Sequence, residues 1–277
     1  GYMANTFQLS KNTVSSQNAI CIASNVSTQS QDSVIIAPRG TSNNSQYSIS
    51  IGDNNSSGFQ GLRAVSIGFN SNNIAQDVNA LCVGTASASN MGVSSLCIGS
   101  ESANDAGSVC GQKSLLIGHN SAPQGIATES ILIGHSSGLN APVPTENIII
   151  GTNSATSGLI SGHNVMIGNN INNDALNPSV GLSNVIIGDT CAIASTVGDT
   201  NVLIGQCGKQ NTSNHNVQIG DVNVTQASDS NTAIGYINTS MQSISNVLIG
   251  GLINTVDQTT QNNTAIGTLS TVSQTDS

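Results

Sequence analysis

The stretches "NVMIGNN" at residues 164–170, "NVIIGDT" at 184–190 and "NVLIGQC" at 201–207 are one phrase written three times. Each has an Asn, a branched apolar residue, a further apolar residue, then Ile-Gly. Apolar residues two apart are the period of a β-strand, and Val and Ile suit its pleated surface. Aligned on the glycine, the phrase recurs at Gly52, Gly68, Gly84, Gly99, Gly118, Gly134, Gly151, Gly168, Gly188, Gly205, Gly220, Gly235, Gly250 and Gly267, in steps of 15 to 20 residues. Two degenerate copies end at Ala23 and Ala37. One short strand per step, separated by Gly, Asn and Ser, predicts a parallel β-solenoid of about 16 coils. At ~4.8 Å between strands that is a rod roughly 75 Å long, with a coil perimeter near ~50 Å. The repeat defines one domain over residues 18–268. A lead-in at 1–17 precedes it, where Gly1-Tyr2 reads as a cloning remnant, and a tail at 269–277 follows.

Composition agrees with this and excludes much else. Charged residues are 7% of the 277, aromatics 2%, and there is no Trp. Helices want Ala, Leu, Glu, Lys and Arg, so helix is disfavoured throughout. The net charge is −9 with only five Lys plus Arg, which argues against nucleic-acid partners. No apolar run is long enough to span a bilayer as a helix, so no membrane insertion is expected. The first residues lack a basic segment followed by an apolar run, so no signal peptide is expected.

A narrow coil admits one or two rows of Ile and Val. The residue before each glycine is assigned to the solenoid core: Ile67, Val83, Ile98, Ile117, Ile133, Ile150, Ile167, Ile187, Ile204, Ile219, Ile234, Ile249 and Ile266, with a second branched residue two places earlier. The glycine is assigned to the turn, where positive φ or close backbone approach excludes a side chain. The Asn four places before it, at 147, 164, 184, 201, 216, 231, 246 and 263, is assigned to a stacked amide ladder.

The residue between the two core positions should then face solvent. It reads Cys82, Cys97, Leu116, Leu132, Ile149, Met166, Ile186 and Leu203 through eight successive coils, and Leu248 later. A lone rod would expose this as a continuous apolar ribbon, and no amphipathic helix in the chain could cover it. The expected cover is further copies of the same chain, three in parallel around a common axis. These residues are therefore the predicted trimer interface.

The phrase N-x-V-x-I-G-x-x-S-x-A is similar to the repeat of trimeric autotransporter adhesin heads, the YadA-like head. Its best copies are "LLIGHNSA" (115–122), "IIIGTNSA" (148–155) and "CIGSESA" (97–103), and the resemblance covers about residues 18–268. It implies a trimer of left-handed parallel β-rolls, a form that virus and phage fibre proteins also use. The spacing is longer and less regular than the family's, and the Ser three places after the glycine is lost from Gly168 to Gly250. Neither a neck nor a stalk motif is present, and six Cys occur. These departures favour a virion or phage fibre over a bacterial surface adhesin head.

The remaining reactive residues point to no chemistry. Cys21, Cys82 and Cys97 share one repeat position and read as small apolar residues, with free thiols expected for all six. His119 and His135 both follow the glycine of consecutive coils and should stack. The acids, including Asp53, Asp189 and Asp221, form no convincing pair, and the three Glu are scattered. No catalytic motif, metal site or cofactor is predicted, and the chain is read as a non-enzyme. Its expected function is that of a structural and receptor-binding protein: a trimeric fibre or adhesin-like head exposed on a virion or extracellular surface. Host attachment would fall to the longer loops at 100–114, 138–146 and 169–183, with a cell-surface glycan or a protein receptor as target. A self-assembling filament subunit is the alternative, and an ice-binding solenoid a further one.

Overall fold

The computed structural model describes residues 7–9, 18–23, 28–37, 43–53, 59–70, 72–86, 88–101, 109–122, 126–138, 143–154, 159–171, 179–190, 197–206, 210–211, 214–221, 224–226, 229–236, 239–241, 245–251, 254–256, 262, 264–268 and 271–272. Among them there is no helix, and every strand pairing is parallel. The fold is an all-β parallel solenoid. The chain divides into two compact units, Gly1–Val143 and Pro144–Ser277.

In the first unit the Ile-Gly phrases form one sheet, including Val65–Phe69, Leu81–Thr85, Leu96–Ser100 and Leu115–His119. Their register follows the sequence alignment: Leu81 pairs with Leu96, Cys82 with Cys97, Val83 with Ile98 and Gly84 with Gly99. A second sheet closes each coil from the other side. It contains Phe59–Gln60, Asn72–Gln76, Ala88–Met91 and Val109–Cys110, and continues through bridges from Cys110 to Ile126 and from Ile126 to Val143. The second unit repeats the plan, with strands such as Val165–Ile167, Val185–Ile187, Val202–Ile204 and Val217–Asp221 in register. Its opposite side carries Leu159–Ile160 against Ser179–Val180, and a further sheet from Gln210–Asn211 to Thr271–Val272.

The core is one residue wide per strand. Cys82, Cys97, Leu116, Leu132, Ile149, Met166, Ile186, Leu203 and Leu248 are all completely buried within a single chain. In the first unit Met91, Cys110, Ile126 and Val143 are buried on the opposite side of the coil, as are Ile160, Val180 and Val197 in the second. This inverts the faces expected from the sequence. The nine residues assigned to a trimer interface are the solenoid core. The residues assigned to the core lie on the outer face: Ile67, Ile167, Ile249 and Ile266 are exposed, while Val83, Ile98, Ile117, Ile133, Ile150, Ile187, Ile204, Ile219 and Ile234 are half-buried. The physical reason is width. Alternation puts the middle residue opposite its two neighbours, and a coil this narrow has room for the single inward side chain only.

Core chemistry changes along the first unit. After Cys21 and Ile35, Ser50 and Ser66 occupy the inward position, with Gln60 and Gln76 buried in the facing sheet. Both glutamines spend their amide N–H groups on backbone carbonyls: Gln60 Nε2 donates to Ile49 O (2.6 Å) and Ala64 O (3.1 Å), and Gln76 Nε2 to Val65 O (2.6 Å) and Ala80 O (2.9 Å). These bonds satisfy the donor side of each buried amide. Sulfur-bearing Cys82, Met91, Cys97 and Cys110 follow, and then purely aliphatic residues.

Candidate functional site

The outer face of the Ile-Gly sheet carries apolar residues that the fold leaves exposed or half-buried. Two branched residues per coil point out of it, one on each side of the buried middle residue, and they are apolar except at Thr232 and Thr264. In the first unit Ile20, Ile22, Ile36 and Ile67 are 36–42% exposed in the single chain. Paired rows such as Val65 with Ile67 and Leu81 with Val83 stack in register above one another. The second unit presents the same two rows, including Val165 with Ile167 and Val185 with Ile187. An apolar ribbon of this kind, present in each unit, marks an interaction surface.

The glycines hold the coils close. All fourteen have φ between 112° and 154°. At Gly168 a Cβ would overlap the carbonyl oxygen of Gly188, and at Gly68 that of Gly84. The glycine ends the strand or lies inside it, and the chain bends on either side. Five places before each glycine stands a residue in the left-handed region, among them Arg63 (φ 56°), Lys113 (φ 53°), Glu129 (φ 59°) and His163 (φ 63°). Sequence reasoning missed this position, because Asn and Asp, the residues that tolerate it best, fill it only in some coils.

The Asn corner forms the expected ladder. Each N–H of Asn164, Asn184, Asn201, Asn216, Asn231 and Asn246 donates to the Oδ1 of the Asn one coil earlier, at 2.7–2.9 Å. Asn263 lies outside the described residues. The Ser three places after the glycine also bridges coils: Ser154 Oγ donates to Gly168 O (2.6 Å) and Ser121 Oγ to Gly134 O. In the coil of Gly168, Ile171 takes that position and is fully buried.

His119 and His135 stack, with ring centroids 5.2 Å apart and 8° between planes. Among the described residues no group of three or more His, Cys, Asp or Glu is arranged to hold a metal ion. Cys21, Cys82, Cys97 and Cys110 are buried thiols in no disulfide; Cys191 and Cys207 lie outside the described residues. The hydrogen bond with Cys82, followed by burial, raises the Cys97 pKa well above the ordinary thiol value. Burial pushes Cys110 up to about 12. Both are neutral at physiological pH, which is the inert kind of cysteine. On the surface, Lys113 Nζ pairs with Glu129 Oε1 at 2.9 Å, and His163 contacts Glu146.

Much of the loops expected to carry recognition falls at 102–108, 139–142 and 172–178, outside the described residues. The second sheet of the first unit holds a groove of about 580 Å³ that no sequence signal indicated. Its lining includes Phe59, Ala75, Asp77, Asn90, Val109 and Gln112. Fold and surface together define a parallel β-solenoid with an apolar outer ribbon. Compared with protein-family models, curated proteins and solved structures, the chain finds no match.

Proposed function

We propose that the chain is a structural and receptor-binding protein, a homotrimeric fibre or adhesin-like head of a virion or extracellular surface. The full reading is a left-handed roll of about 16 coils, with three parallel chains around one axis. The observation that carries it is the double row of outward Ile, Val and Leu on the Ile-Gly sheet. Nothing else among the described residues covers these rows, and a second and third copy bring the same surface at the same 4.8 Å repeat. The interface would consist of the flanking residues, among them Ile67, Ile167 and Ile249, and not of the buried middle row. A filament subunit remains the second reading, since the same ribbon also suits open-ended packing.

Light scattering tests this. The expected mass is three times 28.0 kDa, retained on dilution. The double variant Ile167→Lys/Ile249→Lys should stay folded by circular dichroism and fall to a monomer. A wild-type monomer would overturn the trimer, and open-ended assemblies would favour the filament.

A further inference from the structure

The groove on the second sheet of the first unit lies on a different sheet from the apolar ribbon. Its floor is a row of outward residues from four paired strands. Phe59 pairs with Ala75, Ala75 with Asn90, and Asn90 with Val109. Their neighbours Gln60, Gln76, Met91 and Cys110 point inward and are buried, so alternation sends the floor residues out. Phe59 is 54% exposed and Val109 45%. The small Ala75 between Phe59 and Asn90 makes the depression. Along one side the chain turns through Asp77, Gly92 and Gly111, packed so closely that a Cβ on Gly92 would sit 2.8 Å from Gln112 N. The exposed side chains of Asp77 and Gln112 form that rim.

We propose that this groove binds a neutral oligosaccharide, with the Phe59 ring as the platform for one pyranose. The inference rests on the receptor-binding reading and names its site and ligand class. An exposed aromatic face accepts the axial C–H groups of a sugar, while amide and carboxylate groups beside it take the hydroxyls. Here Asn90 and Gln112 supply amides and Asp77 a carboxylate. Three strand steps span roughly 14 Å, the length of about three pyranoses. The volume falls within the ~300–1,000 Å³ of small-molecule sites. Among the described residues no Lys, Arg or His lines the groove, so sialate, sulfate or phosphate would face Asp77 without a counter-charge from them. An extended peptide is the poorer occupant. Peptides add to an open sheet edge, and the strands of the floor are already paired to one another.

The test is an array of neutral, sialylated and sulfated oligosaccharides probed with the full chain, alongside circular dichroism and light scattering. Variants are Phe59→Ala, the groove-filling Ala75→Arg and, as control, Phe69→Ala, which removes an equally exposed ring from the Ile-Gly sheet. Binding to neutral trisaccharides or longer is expected. It should weaken at least about tenfold in Phe59→Ala and in Ala75→Arg, and less than about twofold in Phe69→Ala. If Phe59→Ala misfolds, Ala75→Arg decides. The proposal is overturned by no neutral ligand, by binding confined to anionic glycans, or by groove variants that bind like wild type. A trimer that binds glycans independently of Phe59 sinks the groove and keeps the fibre reading. A monomer that binds through Phe59 does the reverse.

Discussion

The corner before the Ile-Gly strand is built in two ways. In the first unit its residue is small: Ala64, Ala80, Ser95, Ser114 and Ser130. In the second it is Asn, from Asn147 to Asn246. Both sets are buried, so the backbone N–H there needs a partner in either case. Three coils of the first unit find one locally, while the Ser130 N–H already reaches Ser114 Oγ of the neighbouring coil (3.3 Å). Ala64 N–H donates to Gly61 O (3.2 Å), Ala80 to Asp77 O (3.3 Å) and Ser95 to Gly92 O (3.3 Å), closing a turn whose third residue is left-handed. The Ser hydroxyl joins in, as Ser95 Oγ donates to Gly92 O at 2.7 Å. In the second unit the N–H leaves its own turn and reaches the side chain of the neighbouring coil. Asn201, for instance, donates both N–H (2.7 Å) and Nδ2–H (3.1 Å) to Asn184 Oδ1. The same backbone path can thus be stabilised within a coil or between coils, and Ser serves both ways while Asn bonds between coils.

Breaking the ladder should have the largest effect. Asn201→Ala removes the acceptor of the Asn216 N–H and leaves that buried group unsatisfied, for an expected loss of about 2–3 kcal/mol in denaturant unfolding. Asn201→Ser should recover part of it if the second unit can adopt the local turn of the first. Full loss in the Ser variant would show that the two corners are not interchangeable.

The first unit has its own signature in its thiols. Cys110 has a folded pKa of about 12 against an ordinary 9.0. A raised folded pKa means the contribution is fully present below pH 9 and is lost as pH rises toward 12. The unfolded chain releases the proton there and the folded one retains it. Stability should fall by up to ~1.4 kcal/mol per pH unit for such a thiol. A shallower slope between pH 9 and 11 in Cys110→Ala confirms the source; an unchanged slope removes it.

The Ser corner should be the softer counterpart of the ladder. Ser95→Ala deletes the hydroxyl's bonds to Gly92 O and to the Cys110 thiol but keeps the turn, so about 1 kcal/mol is expected. A cost equal to that of Asn201→Ala would erase the contrast between the units. Smallest is a gain. Arg63→Gly relieves a left-handed residue but loosens the unfolded chain, for a net stabilisation of less than ~1 kcal/mol in thermal melting. A destabilised variant would mean that the Arg63 side chain contributes more than its backbone costs.

Strand positions and register were legible in the sequence because alternation and the recurrent glycine coincide. Gly84 pairs with Gly99 and Gly220 with Gly235 as the alignment requires. The Asn ladder and the His119–His135 stack were legible for the same reason, since equal positions in successive coils come to lie side by side. The left-handed corner was not, because Arg63, Lys113, Glu129 and His163 carry no local sign of it. Nor was the groove. Phe59, Ala75, Asn90 and Val109 stand 15 to 19 residues apart, separated by segments of unequal length, and only the second sheet brings them into one row.

By itself the sequence determined the parallel solenoid, its period and the place of each glycine, for these follow from local pattern and steric need. It did not determine which side of the Ile-Gly strand is inside. With apolar residues on both faces, alternation separates Leu116 from Leu115 and Ile117 but assigns neither to the core. The tertiary structure decided it. The coil closes with room for one inward side chain per strand, so Leu116 is buried and its two neighbours remain outside.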